Sequence, residues 1–252
     1  MSGAVPILAA GSALALAGAG VAAWGMFSTR SSLFGPVIHR GSPGTGVALT
    51  FDDGPHPERT PAILDALAAQ DVRAAFFVIG VHARAHPTIV ARIHEGGHVL
   101  ANHTLDHRHS GSIRRKRFWR RQIDEGADAI AQIIGVRPRF FRPPIGHRNW
   151  HTAAVLRERG DVCVTWTRRT YDSIRTPTTE EILQSLGAHS RSGDIVLLHD
   201  GLDPQRPRAA SGIPAAAIGP LVDAWRARDL GVVRLDESIG EAPYAETTPS
   251  PN

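Results

Sequence analysis

Short apolar runs that stop abruptly at polar residues set the pattern of this chain. Val47-Ala48-Leu49-Thr50-Phe51 ends at Asp52-Asp53-Gly54-Pro55, a buried strand running into turn chemistry. The pattern then predicts a helix around Thr60–Gln70, a strand at Ala74–Ile79, a helix at Pro87–Glu95 and a strand near His98–Ala101. The alternation continues with a helix over Ser112–Ile134, the pair Phe140-Phe141, a helix near Asn149–Arg159 and a strand at Val162–Trp166. A helix at Thr179–Ser190, the strand Ile195–Leu198, a helix over Ile213–Arg228 and a short strand at Gly231–Leu235 complete it. Alternating strands and helices predict an α/β fold with parallel strands, closed or nearly closed into a barrel. The 252 residues suit one such domain and would cramp two.

Polar residues recur at one place in this pattern. Asp52 and Asp53, Asn102 and His103, Arg142, Asp172, and His199 and Asp200 each lie at or just past the carboxyl end of a predicted strand. In barrel-like α/β folds that rim carries the chemistry. His103 and His107 are four residues apart, so on one helical turn both rings would point to the same place. Two imidazoles and one carboxylate are a common catalytic metal set, and either Asp52 or Asp53 supplies the carboxylate. If Asp53 ligates, Asp52 is left to take a proton from a water acidified by the cation. His199 emerges from a packed apolar strand, placed to act as a general acid, with Asp172 or Asp200 holding its tautomer. Arg142 follows two core aromatics and precedes two prolines, so it is braced against a carboxylate rather than free in solvent.

These residues fall into ordered motifs. Thr50-Phe51-Asp52-Asp53-Gly54, His103-Thr104-Leu105-Asp106-His107, Arg142-Pro143-Pro144-Ile145-Gly146 and Leu197-Leu198-His199 resemble the first, second, third and fifth motifs of the polysaccharide deacetylase family, the carbohydrate esterases with a NodB-type domain. The resemblance implies a distorted seven-stranded (β/α) barrel, with Asp52 as base, Asp53, His103 and His107 as metal ligands and His199 as acid. It further implies that Arg142 orients Asp52, that Asp172 tunes His199, and that the Ile145 N–H helps hold the oxyanion. Leu197 would line the acetyl pocket, with Pro144 and Tyr171 beside it. The fourth motif departs from the family, since Asp172 is followed by Ser173 where the family has tryptophan. Ile145 also stands where the family often has tyrosine.

The expected activity is metal-dependent removal of N-acetyl groups from a glycan, glycolipid or lipid-linked sugar. Zinc is the expected ion, and cobalt, nickel or manganese satisfies the same ligands. Alternatives are the same scaffold acting on an O-acetyl ester or another non-peptide amide, and a non-catalytic glycan- or lipid-binding protein.

Residues 5–27 carry no charge and are long enough to cross a bilayer as a helix. Residues 1–29 are therefore expected to be an anchor or signal-like segment, 30–46 a linker, 47–240 the catalytic domain and 241–252 a tail. This predicts a membrane-associated protein; the flanking arginines Arg30 and Arg40 favour the cytoplasmic face, family habit the extracytoplasmic one. Lys and Arg number 28 against 24 acids, a modest excess, but seven of them fall between Arg108 and Arg121 with no acid among them. That stretch is either a solvated helix face or a patch for an anionic surface. Nucleic acid is disfavoured because no aromatic platform accompanies the charge. Cys163, the single cysteine, excludes an internal disulfide.

Overall fold

The apolar runs become strands buried on both faces, as a parallel sheet requires. The computed structural model of the chain describes residues 17–206 and 212–246. Its sheet contains β1 (Val47–Asp52), β2 (Ala75–Val78), β3 (Val99–Asn102), β4 (Phe140–Phe141), β5 (Val162–Cys163), β6 (Arg168–Arg169), β7 (Ile195–His199) and β8 (Val232–Val233). They run in the order β5-β4-β3-β2-β1-β7-β6, with β8 on the start of β1, and every strand pairing is parallel.

The sequence pattern predicts one strand over Val162–Trp166. Instead the chain pairs with β4 through β5, leaves the ladder for four residues, and pairs with β7 through β6. Because one extended stretch serves both outer strands, the sheet curls towards closure. Ile38 forms a parallel bridge with Val164, and Arg40 bridges Asp194 beside the start of β7.

Period-two alternation sorts the side chains. Val47, Leu49, Phe51, Phe76, Val78, Leu100, Val196 and Leu198 pack in a cluster with the helices Arg59–Ala69, Pro87–Glu95 and Ile218–Arg226. Ala48, Ala75, Phe77, Val99, Ala101, Ile195 and Leu197 belong to a second cluster, inside the curl. Along β1 the same alternation gives Thr50 and Asp52 to the inside, and along β7 it gives His199. Asp52 and His199 are register partners on these adjacent strands.

On the outside, the helix Lys116–Ile134 backs β3 and the loop after it. Gly126 permits this approach, because a Cβ there would lie 2.5 Å from Asn102 Oδ1 and 2.8 Å from the Thr104 carbonyl carbon. The helix Trp150–Arg159 begins at Asn149, whose side chain forms a capping box with Thr152.

The N-terminal expectation needs correction. Among the described residues, no helix is long and apolar enough to cross a membrane, which overturns the expected transmembrane segment, membrane partner and membrane localisation. The described residues of the expected span, 17–27, are helical. The chain leaving it is tied to the domain: Met26 O accepts from Arg148 N, Thr29 O accepts from Thr165 Oγ1, and Phe27 packs edge-on against His147. Residues 5–16 of the expected span lie outside the described residues.

The basic stretch from Arg108 to Arg121 is partly paired. Arg108 meets Asp106, Lys116 and Arg120 both meet Glu158, and Arg121 meets Glu125, so acids outside the stretch compensate four of its seven cations.

Candidate metal centre and active site

Three acceptor atoms converge at the mouth of the curl. Asp53 Oδ1 lies 3.4 Å from His103 Nε2 and 3.2 Å from His107 Nε2, and all three residues are buried. The two rings do not converge by a helical turn, because 103–107 is a loop in which Thr104 (φ 72°) and His107 (φ 55°) are left-handed. Asp53 (φ 71°) and Ile145 (φ 51°) share that conformation, so non-glycine backbone strain gathers at this rim. Thr104 Oγ1 accepts from His107 N, and Gln122 of the helix Lys116–Ile134 binds Asp106 at 2.7 Å, holding the loop in shape.

The donor set fits a cation. His103 Nδ1 donates to the Arg142 carbonyl at 2.7 Å, and His107 Nδ1 to Asp203 Oδ1 at 2.9 Å. In the neutral rings both Nε2 atoms are then bare lone pairs. Asp53 Oδ1 is buried with no hydrogen-bond partner. Three acceptors facing one another leave a gap that a positive ion fills. The separations match the edge of a tetrahedron, roughly 3.4 Å for metal–ligand bonds of about 2.1 Å. Asp53, His103 and His107 thus form a metal-binding cluster. Burial raises the Asp53 pKa, but the nearby His107, His103 and His199 outweigh it and hold the carboxyl well below the usual range.

Asp52 stands beside the cluster, its Oδ2 3.7 Å from His103 Nε2. Arg142 is fully buried and donates to Asp52 Oδ1 at 2.6 Å and Thr50 Oγ1 at 2.9 Å, with Val164 and Thr165 carbonyls taking its other protons. Its guanidinium lies 3.8 Å over the Phe77 ring.

His199 is the register neighbour of Asp52. Of the two acids the sequence offers as its partner, Asp172 takes the place: Oδ1 accepts from Nδ1 at 3.0 Å and Oδ2 from the backbone N at 2.7 Å. Burial lowers the proton affinity of His199, but Asp172, Asp53 and Asp52 more than reverse it, raising the pKa to about 9. A divalent cation beside Asp53 would draw that value back down. Asp200 instead points under Gly54, where Thr60 Oγ1 donates to it at 2.6 Å; burial pushes its carboxyl up to about 7 against that bond, with Asp53 adding to the rise.

A cavity of about 70 Å³ opens onto these groups, lined by Asp52, Asp53, His103, His107, Leu197 and His199, with Ile145 and Trp166 at its wall. Such an arrangement is consistent with deacetylase chemistry of the carbohydrate esterase type, an aspartate base and a histidine acid about a metal.

The family model for polysaccharide deacetylase matches residues 39–164. A peptidoglycan-N-acetylglucosamine deacetylase of Bacillus cereus is 35% identical over 153 residues, 61% of this chain and 55% of that protein. A chitooligosaccharide deacetylase of Sinorhizobium fredii is 38% identical over 165 residues, 64% of this chain and 76% of that one. The chain belongs to the polysaccharide deacetylase family. A crystal structure of a peptidoglycan N-acetylglucosamine deacetylase in complex with 4-naphthalen-1-yl-N-oxidanyl-benzamide superimposes with a TM-score of 0.74 at 28% identity, covering 82% of this chain and 94% of the other. The match to the Bacillus cereus relative spans only about half of its length, 55%.

Within the family frame, Asp52, Asp53, His103, His107, Arg142, Ile145, Asp172, Leu197 and His199 are brought together. Pro144 and Tyr171 are not among the residues lining the cavity, and Tyr171 is largely exposed. Residues that sequence reasoning missed are Trp166, Arg169, Ser173, Asp203 and Arg206. Trp166 had a signal, since it ends a predicted strand as the other site residues do. Asp203 had none, because a carboxylate four residues after His199 reaches His107 only through the turn that follows β7. It also meets His109 Nε2 at 2.8 Å, so one carboxylate ties two imidazoles.

Proposed function

We propose that this chain is a zinc-dependent hydrolase that removes N-acetyl groups from an acetylated glycan or sugar conjugate. The observation that carries this reading is the placement, around one metal-binding cluster, of a spare carboxylate braced by arginine and an imidazole that keeps its proton. Zinc is favoured by two imidazole nitrogens and one carboxylate oxygen. The Bacillus cereus and Sinorhizobium fredii relatives bear names of deacetylases acting on N-acetylglucosamine-containing and chitooligosaccharide substrates, which supports the same substrate class here.

When bound, the ion supplies Lewis acidity to a carbonyl oxygen and lowers the pKa of water towards about 7. Asp52, oriented by Arg142, takes the proton of the attacking water at a carboxylate oxygen. The Ile145 N–H, presented by a left-handed turn, donates to the oxygen on which negative charge develops. His199, its Nδ1 committed to Asp172, gives the proton on Nε2 to the departing amide nitrogen, which leaves poorly as an anion. Leu197 and Trp166 exclude water around the acetyl methyl.

Acetate release from N-acetylglucosamine oligomers, measured before and after chelation, tests this directly. Activity is expected to vanish with the metal and return on adding zinc. Undiminished turnover in chelator overturns the reading, and faster acetate release from an O-acetyl xylan assigns the scaffold to esters.

A further inference from the structure

The cavity over the metal cluster is small, about 70 Å³, and two arginines line it together with the metal-binding residues. The body of a substrate whose acetyl group enters it therefore passes these two cations. Arg169 and Arg206 are both exposed. Strand alternation separates Arg169 from its neighbour: Arg168 is paired with Asp194, while Arg169 faces the cavity with its guanidinium 5.6 Å from the Tyr171 ring centre. Arg206 closes the turn that carries Asp203, its N–H bonded to the Asp203 carbonyl at 2.9 Å.

The acids of the site already have partners. Asp52 is taken by Arg142, Asp203 by His107 and His109, and Asp53 belongs to the metal-binding cluster. Nearby Arg175 is paired with Glu181, whereas neither Arg169 nor Arg206 has a carboxylate partner among the described residues. Two uncompensated guanidiniums beside a divalent cation repel it and each other, a cost that an anionic ligand removes. We propose that Arg169 and Arg206 select an acetylated sugar bearing a phosphate or carboxylate, bound at the rim while its acetyl group enters the cavity. The proposal rests on the deacetylase reading above. Guanidinium geometry suits either anion, since both accept two parallel hydrogen bonds.

Values of kcat/KM for N-acetylglucosamine 1-phosphate, N-acetylmuramic acid and neutral methyl N-acetylglucosaminide, taken with the metal-loaded protein, read the preference. At least one anionic sugar is expected to exceed the neutral one by about tenfold or more, the size of a charge-assisted hydrogen bond. That ratio should fall by about as much in the R169Q/R206Q variant and recover in part in R169K/R206K. Which anion is preferred identifies the source of the charge. Equal use of neutral and anionic sugars, or a ratio that survives the glutamine variant, overturns the proposal. Calorimetric binding of glucosamine 1-phosphate against methyl glucosaminide gives the same comparison without turnover. If no sugar is deacetylated but the phosphate preference disappears in the variant, the deacetylase reading fails and the arginine assignment stands. If the phosphate preference persists in the variant, the arginine assignment fails on its own.

Discussion

On the β3 flank of the rim, His103 and His107 present Nε2 lone pairs to a shared point; on the β7 flank, His199 holds a proton. All three rings are buried and all three are fixed through Nδ1, so burial alone does not set their roles. The partner of Nδ1 and the charges facing the ring do. His103 donates to the uncharged Arg142 carbonyl, which fixes the tautomer and adds no net charge. His199 donates to Asp172, a fully buried carboxylate whose second oxygen binds the His199 backbone N–H, and its pKa rises to about 9. His107 is intermediate: burial opposes protonation, but Asp53 and Asp203 raise its proton affinity, so a bound cation competes there with a proton. Two kinds of hydrogen-bond acceptor thus divide similar side chains into ligands and an acid.

The sharpest way to separate the two flanks is to remove the carboxylate between them. Asp52→Asn is expected to keep the metal content of the wild type and to lower kcat on the order of 10³-fold, as loss of a general base does. Metal analysis beside single-turnover kinetics checks both halves, and a variant that loses its metal would place Asp52 among the ligands instead.

Changing the partner of His199 tests the acid flank next. Because the folded pKa lies above the ordinary value of about 6.5, the charged form and its stabilising contact with Asp172 are fully present below that value and disappear as pH rises through about 9. Activity of the metal-loaded protein should fall along an alkaline limb below that value, since the cation beside Asp53 draws it down. Asp172→Asn should lower kcat about 10²-fold and move that limb to lower pH, a shift that a merely structural residue would not cause. An unmoved alkaline limb would detach Asp172 from the acid.

The smallest effect is expected on the ligand flank. Asp203→Asn keeps a hydrogen-bond acceptor for His107 but removes its charge, and should weaken metal affinity by about 10-fold to 100-fold while leaving the metal-saturated rate near that of the wild type. Competition with a chelator of known affinity measures it. Unchanged affinity would make Asp203 a brace for the turn after β7 and no more.

Much of this site was legible along the chain, because strand ends and side-chain alternation are local properties. The position of Asp52 at the end of β1 and His199 at the end of β7 follows from where two apolar runs stop, and the parallel register then makes them neighbours. Spacing by four suits a helical turn at 103–107, whereas Asn102 and Gln122 fold the chain into a loop by bonding its backbone and Asp106. Uncharged composition over residues 5–27 is compatible with a span, whereas among the described residues no helix is long and apolar enough to cross a membrane, and after residue 27 the chain bonds to Arg148 and Thr165.

Residue order alone determined the alternating strands, the four motifs and the chemical types at the rim, since each rests on neighbours within a few positions. Only the tertiary structure decided which acid serves which histidine, that Asp203 steadies a ligand, that Trp166 walls the cavity and that Arg169 and Arg206 reach its mouth. Those contacts join residues as far as 96 positions apart, as Asp203 is from His107, and their partners are chosen by how the sheet curls. No local rule of spacing encodes that curl.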